Sequence, residues 1–167
     1  MHVCFWLTLF FFSAAAAAQT HRTAAAANRP TLQVPQPTLR RMIRDSARIF
    51  AGTVIGVERL PTGPGIPTTR VTFRIDEAIR GVRKGQTIRI SEWGGLWQAG
   101  ERYRAGERVL LFLHPESKLG LTSPIAGAMG RWSIQRDGKV ETKSIDARIR
   151  RSDLKAVAAA LRSAARE

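Results

Sequence analysis

ERYRAGERVLLFLHP, Glu101 to Pro115, contains five consecutive apolar residues, Val109 to Leu113, in a chain that carries 27 Lys and Arg against 13 Asp and Glu. Gly106 precedes the run and Pro115 follows it, and RVLLFL, Arg108 to Leu113, has the length of a strand rather than a helix. A strand that is apolar at every position has no face for water, so it needs cover on both sides. The stretch therefore predicts a central strand, with a packed interior on one flank and a helix or loop of the same chain on the other.

Working outward, the segments on either side supply both kinds of cover. RVTFRIDEAIRG alternates cleanly, with Val71, Phe73 and Ile75 on one face and Arg70, Thr72, Arg74 and Asp76 on the other. QTIRISEW sets Ile88 and Ile90 against Thr87 and Arg89, and IFAGTVIGVERL, Ile49 to Leu60, reads as a first strand that bends at Gly52 and Gly56. Pro61 to Thr69 reads as a loop, and so does the Gly-rich stretch from Gly94 to Gly106. Downstream, Leu119 to Ile125 predicts a short strand, and Trp132 and Ile134 begin a hairpin that turns at Asp137-Gly138. Two helices remain. LRRMIRDSARIF follows Thr38 as N-cap with Leu39, Met42 and Ile43 on one face. SIDARIRRSDLKAVAAALRSAARE has Ser152 as expected N-cap and Leu154, Val157, Ala158 and Leu161 on its apolar face.

The first eighteen residues join an apolar run, Val3 to Phe12, to Ala16-x-Ala18, the pattern of an export signal cleaved after Ala18. The run is too short to span a bilayer, which takes about 20 apolar residues. Residues 19–37, proline-rich and without periodicity, read as a flexible spacer, 38–146 as the β domain and 147–167 as a C-terminal helix. The expected location is periplasmic or secreted. Cys4, the sole cysteine, falls in the leader, so the mature chain is expected to fold without thiols or disulfides, as a bacterial exported protein does more readily than an animal one. The net charge of +14 makes an anionic partner plausible, but the arginines are spread along the chain instead of clustering among aromatics.

Phe50, Gly52 and Val54, then Val71, Phe73, Ile75, Ile79 and Gly81, and finally Gly106, Glu107 and Leu110 to Leu113 carry a resemblance. Over about Leu39 to Thr142 the pattern resembles the oligonucleotide/oligosaccharide-binding (OB) barrel of the netrin-module and tissue-inhibitor-of-metalloproteinases superfamily. The resemblance implies an all-β, OB-like barrel of five or six strands with a short N-terminal helix and an amphipathic C-terminal helix. Inhibitors of that family chelate a protease zinc through an N-terminal cysteine. The expected mature chain has none, so no inhibitory residue is carried over.

Glu107, beside Gly106 at the entrance of the apolar strand, is placed to bind backbone donors or a neighbouring arginine. His114 and Glu116 are too few to hold zinc, with His21 in the spacer and His2 in the leader, so no metal or cofactor is expected. Asp76, Glu77 and Glu92 have no spacing that demands a glycosidase pair. Ser91, Ser117 and Ser123 lack a nucleophile elbow, which argues against hydrolase chemistry. Trp93, Trp97, Tyr103 and Trp132 hold most of the large aromatic surface after the leader, with Arg102 and Arg104 beside them. Exposed together they would form a binding face, and buried they would plug the ends of a barrel. Gly52, Phe73, Gly106, Glu107, Leu111 and Phe112 are expected to be structural. The expected function is a non-enzymatic binding module for a protein or glycan. The alternatives are binding of single-stranded nucleic acid or another polyanion on the barrel face, and protease inhibition through a loop such as Pro61 to Pro67.

Overall fold

A computed structural model describes residues 38–60, 66–98, 102–142 and 151–166, with Trp97 and Gln98 described in backbone only. The expected leader and spacer, residues 61–65 of the proline-rich loop, and the expected helical residues 147–150 lie outside the described residues.

The chain opens with helix α1, Leu39–Asp45, whose N-cap Thr38 accepts a hydrogen bond from the Arg41 N–H at 3.3 Å. Then come β1 (Arg48–Leu60), β2 (Thr68–Arg80), β3 (Thr87–Trp93), the five-residue helix α2 (Gly94–Gln98) and β4 (Arg108–Leu113). A 3-10 turn at Gly127–Gly130 leads into β5 (Arg131–Ile134), β6 (Lys139–Glu141), β7 (Ser152–Asp153) and helix α3 (Leu154–Ala164). The strands form one antiparallel sheet in the order β3-β2-β1-β4-β5-β6-β7.

β4 lies between β1 and β5, and all five residues from Val109 to Leu113 are fully buried. Alternation splits them between two cores. Leu110 and Phe112 join Ile49 and Ala51 of β1, Trp132 of β5, Met42 and Ile43 of α1, and Leu154, Val157 and Leu161 of α3. Val109, Leu111 and Leu113 join Phe50 and Val54 of β1, Val71, Phe73 and Ile75 of β2, Ile90 of β3, and Tyr103. The sheet curls far enough that the segment following β4 reaches β3, three strands away, where Thr122 N–H bonds to the Ser91 carbonyl. The curl is helped by β1, whose register against β2 shifts between Ala51 and Gly52 and again between Val54 and Gly56.

The sheet departs from the expected barrel in strand number and in closure. It has seven strands, and its ladders leave β3 and β7 as edges among the described residues. Leu119 to Ile125, expected as a strand, instead turns: Ser117 Oγ accepts from the Leu119 and Leu121 N–H groups, and Gly120 N–H donates to the Ser117 carbonyl. Pro115 and Pro124 have no N–H to give to a ladder, so the segment makes one isolated bridge, Leu113 with Pro124, and one bond to β3, from Thr122 N–H to the Ser91 carbonyl at 2.8 Å. At the other end, the cap of α3 is Asp153, not Ser152. Its carboxylate accepts from Lys155 and Ala156 N–H, while Ser152 pairs with Val140 in β7.

Candidate functional site

The end of β3 carries the most exposed tryptophan described. Alternation buries Ile90 and Glu92 and turns Trp93 outward, where it is 53% exposed. The chain then turns sharply, with Gly94 N–H donating to the Pro67 carbonyl at 2.7 Å. A Cβ on Gly95 would collide with Cη2, Cζ2 and Cζ3 of the Trp93 indole, so the ring lies directly on the glycine backbone. A glycine there gives the ring a seat while leaving its other face to solvent.

Opposite the indole stands the segment that follows β4. Trp93, Leu96, His114, Pro115, Leu121 and Ser123 line a groove of about 340 Å³, at the small end of ligand-site volumes. Its wall is braced from within: His114 N–H donates to the Ser123 carbonyl at 3.0 Å, and Thr122 Oγ1 donates to the His114 carbonyl at 2.7 Å. Those bonds use backbone groups and the Thr122 hydroxyl, and none of them engages the side chains of His114 and Ser123, both of which line the groove. An indole face, an imidazole and a hydroxyl around a small apolar floor make a surface that can bind by stacking and by hydrogen bonding.

Behind Trp93 a polar chain runs inward. Tyr103 Oη donates to Glu92 Oε1 at 3.0 Å, both residues being 2% exposed. The Arg131 guanidinium lies 4.1 Å from the Tyr103 ring centroid, donates to Glu107 Oε1 at 2.7 Å and reaches the Arg102 carbonyl at 2.7 Å. Thr69, cross-strand from Glu92, is 3% exposed, and its hydroxyl has no hydrogen-bond partner among the described residues. The chain ties β3, the 102–107 segment and β5 together behind the groove.

The aromatic residues expected as one face are thereby divided. Trp93 is exposed, while Tyr103 is buried against Phe73 at 5.6 Å between ring centroids. Trp132 is buried against Phe112 at 4.9 Å and donates its indole N–H to the Met129 carbonyl, on the helix-covered side of the sheet. Tyr103 and Trp132 therefore cannot contact a partner from the surface, because tertiary packing fills the interior with them. The Trp97 side chain lies outside the described residues. Arg102 and Arg104 are exposed.

Of the residues expected to be structural, Phe73, Leu111 and Phe112 are fully buried, and Gly106 adopts φ +83. Glu107 does both things foreseen for it, accepting from Arg104 N–H at 3.1 Å and pairing with Arg131. The other acids singled out are engaged by partners outside the groove lining. Asp76 accepts from Thr53 and Arg108, Glu77 faces Lys84 and Arg162, and Glu116 pairs with Arg48 at 2.8 Å. The burial of Glu92 was available in the sequence, since it shares strand parity with Ile88 and Ile90. The His114 and Ser123 wall was not, because only the return of the chain after β4 brings it to Trp93. No protein-family model and no curated protein matches the chain.

Proposed function

We propose that this chain is an exported, non-enzymatic docking module that takes a protein or glycan partner in the groove between Trp93 and the 114–123 wall. The observation that carries the reading is the Trp93 indole, half exposed yet seated on Gly95. A large ring already fixed in place loses little side-chain freedom on binding, which is the property of an interface anchor. The braced wall adds the same advantage on the other side of the groove.

For the scaffold we propose a cysteine-free, OB-like sheet of the netrin-module type. Support comes from the strand order, in which long, bulged β1 pairs with both β2 and β4 while β3 and β5 lie beyond them, an arrangement that fits a five-stranded, partly open Greek-key barrel.

The test is affinity capture from a cell-envelope fraction with the wild-type chain and with Trp93→Ala. The variant is expected to lose the captured partner while keeping the wild-type unfolding midpoint, because the ring is a surface group. Equal recovery by both chains would remove the groove from the mechanism.

A further inference from the structure

The sheet is unfinished along the outer edge of β3. The bonds flanking the β2–β3 ladder fix its phase: Ile75 N–H to the Gln86 carbonyl at 2.8 Å, Gly85 N–H to the Ile75 carbonyl at 2.9 Å, and Gly94 N–H to the Pro67 carbonyl at 2.7 Å. In that phase Ile88, Ile90 and Glu92 bond to β2, whereas Thr87, Arg89, Ser91 and Trp93 turn their N–H and C=O groups away from it. Among the described residues, the Ser91 carbonyl accepts from Thr122 N–H and the Trp93 carbonyl is taken by the first turn of α2, so the open part of this edge is centred on Thr87 and Arg89.

We propose that this edge takes an extended acidic peptide as an added antiparallel strand, running from Thr87 toward the Trp93 groove. The inference rests on the docking reading above and specifies the partner as a peptide rather than a glycan.

Two features select that chemistry. Outward backbone groups recur at every second residue, a repeat of about 6.7 Å that another extended polypeptide reproduces and a sugar chain does not. On the solvent face of the same strand, Arg89 is exposed and has no carboxylate partner among the described residues. Its diagonal neighbours on β2 are Arg70 and Arg74, which already pair with Glu58 at 3.2 Å and Asp76 at 4.0 Å, so Arg89 is the cation this face leaves for a partner. A residue opposite Arg89 in an added strand points to this face, so glutamate or aspartate there gains the cross-strand attraction of opposite charges. The same arginine rejects a second copy of the chain, because antiparallel pairing of two β3 edges would oppose like charges in a molecule of net charge +14.

The experiment measures amide hydrogen exchange of the full chain with an acetylated, amidated octapeptide of alternating valine and glutamate. In an antiparallel added strand the residues opposite Arg89 exchange both backbone bonds with it, so the glutamate N–H groups face β3. The peptide is expected to slow exchange at Thr87 and Arg89 about tenfold or more at saturation. The same peptide N-methylated at its glutamates is expected to give no slowing, and methylation at its valines is expected to be tolerated. A valine–lysine peptide is expected to be inert. Absence of slowing with the unmethylated peptide overturns the proposal. So does slowing that survives methylation at glutamate, because that marks attraction of a polyanion without strand pairing. Trp93→Ala is expected to retain the protection at Thr87 and Arg89. If the peptide fails while Trp93→Ala still loses its envelope partner, the strand inference falls and the groove stands.

Discussion

Two glycines show how differently a single residue can be required. Gly106, at φ +83, has nothing within 4 Å of where a Cβ would lie, and its N–H donates to the Val54 carbonyl at 2.8 Å as the chain enters β4. Only the left-handed backbone excludes a side chain, so Gly106→Ala is expected to cost about 1–2 kcal/mol. Gly52 is an extended residue, but a Cβ there would lie 2.9 Å from the Arg74 carbonyl oxygen across the β1–β2 ladder. The backbone oxygen cannot swing aside, so Gly52→Ala is expected to cost about 2–3 kcal/mol through overpacking. Urea midpoints for the two variants check the order, and a milder effect at Gly52 would contradict it. Both glycines were visible in the sequence as interruptions beside apolar runs, although the reason for each required the neighbouring strand. Aromatic residues were less legible. Trp93 and Trp132 have the same payload of apolar area and the same polar N–H, and only the covering elements decide which one meets water.

At the scale of elements, β4 was the most legible part of the chain, because a strand with no polar position permits no half-wet solution. The spacing of the apolar residues does not say which helix covers it, and both do. The anchoring of α3 was not legible, since it pairs residues distant in sequence. Arg162 donates to the Ala78 carbonyl at 2.9 Å and to Glu77 Oε2 at 2.7 Å, and Lys84 approaches Glu77 Oε1 at 2.9 Å. The hydrogen bond from Lys84, followed by that from Arg162, holds the Glu77 carboxyl below its ordinary value of 4.5, against the opposing effect of burial. A depressed folded pKa means that the contribution to stability is present above the unfolded value and is lost as pH falls through the folded one. Glu77→Gln is therefore expected to cost about 1 kcal/mol at neutral pH, the partial exposure of Lys84 and Arg162 limiting the effect. The gap between variant and wild type should close in acid, as the pH falls from neutral through the lowered folded value. Denaturant titrations at neutral and acid pH check this, and a gap that persists unchanged in acid would show that the carboxylate's charge is not what anchors the helix.

For the whole molecule, the curl of the sheet is sealed on the β3 side by very little. Thr122 N–H bonds to Ser91, and Thr122 Oγ1 braces the wall through the His114 carbonyl. Thr122→Pro removes the seam donor and is expected to cost about 1–3 kcal/mol, to speed exchange along Thr87 to Trp93, and to abolish docking at the groove. Thr122→Ala keeps the N–H and is expected to weaken docking less. If both variants dock like the wild type, the seam does not shape the site.

By itself the sequence determined the strand periods of β2 and β4, the apolar faces of the two helices, the Asp137-Gly138 turn and the structural work of Glu107. Each of these is written in the spacing of near neighbours, where backbone geometry alone decides which side chains share a face. Tertiary structure decided that the sheet stays open along β3, that Tyr103 and Trp132 are interior, and that His114 and Ser123 stand across from Trp93. Those outcomes depend on where the chain returns after β4, and the return is set by packing between segments far apart in sequence, which no local pattern records.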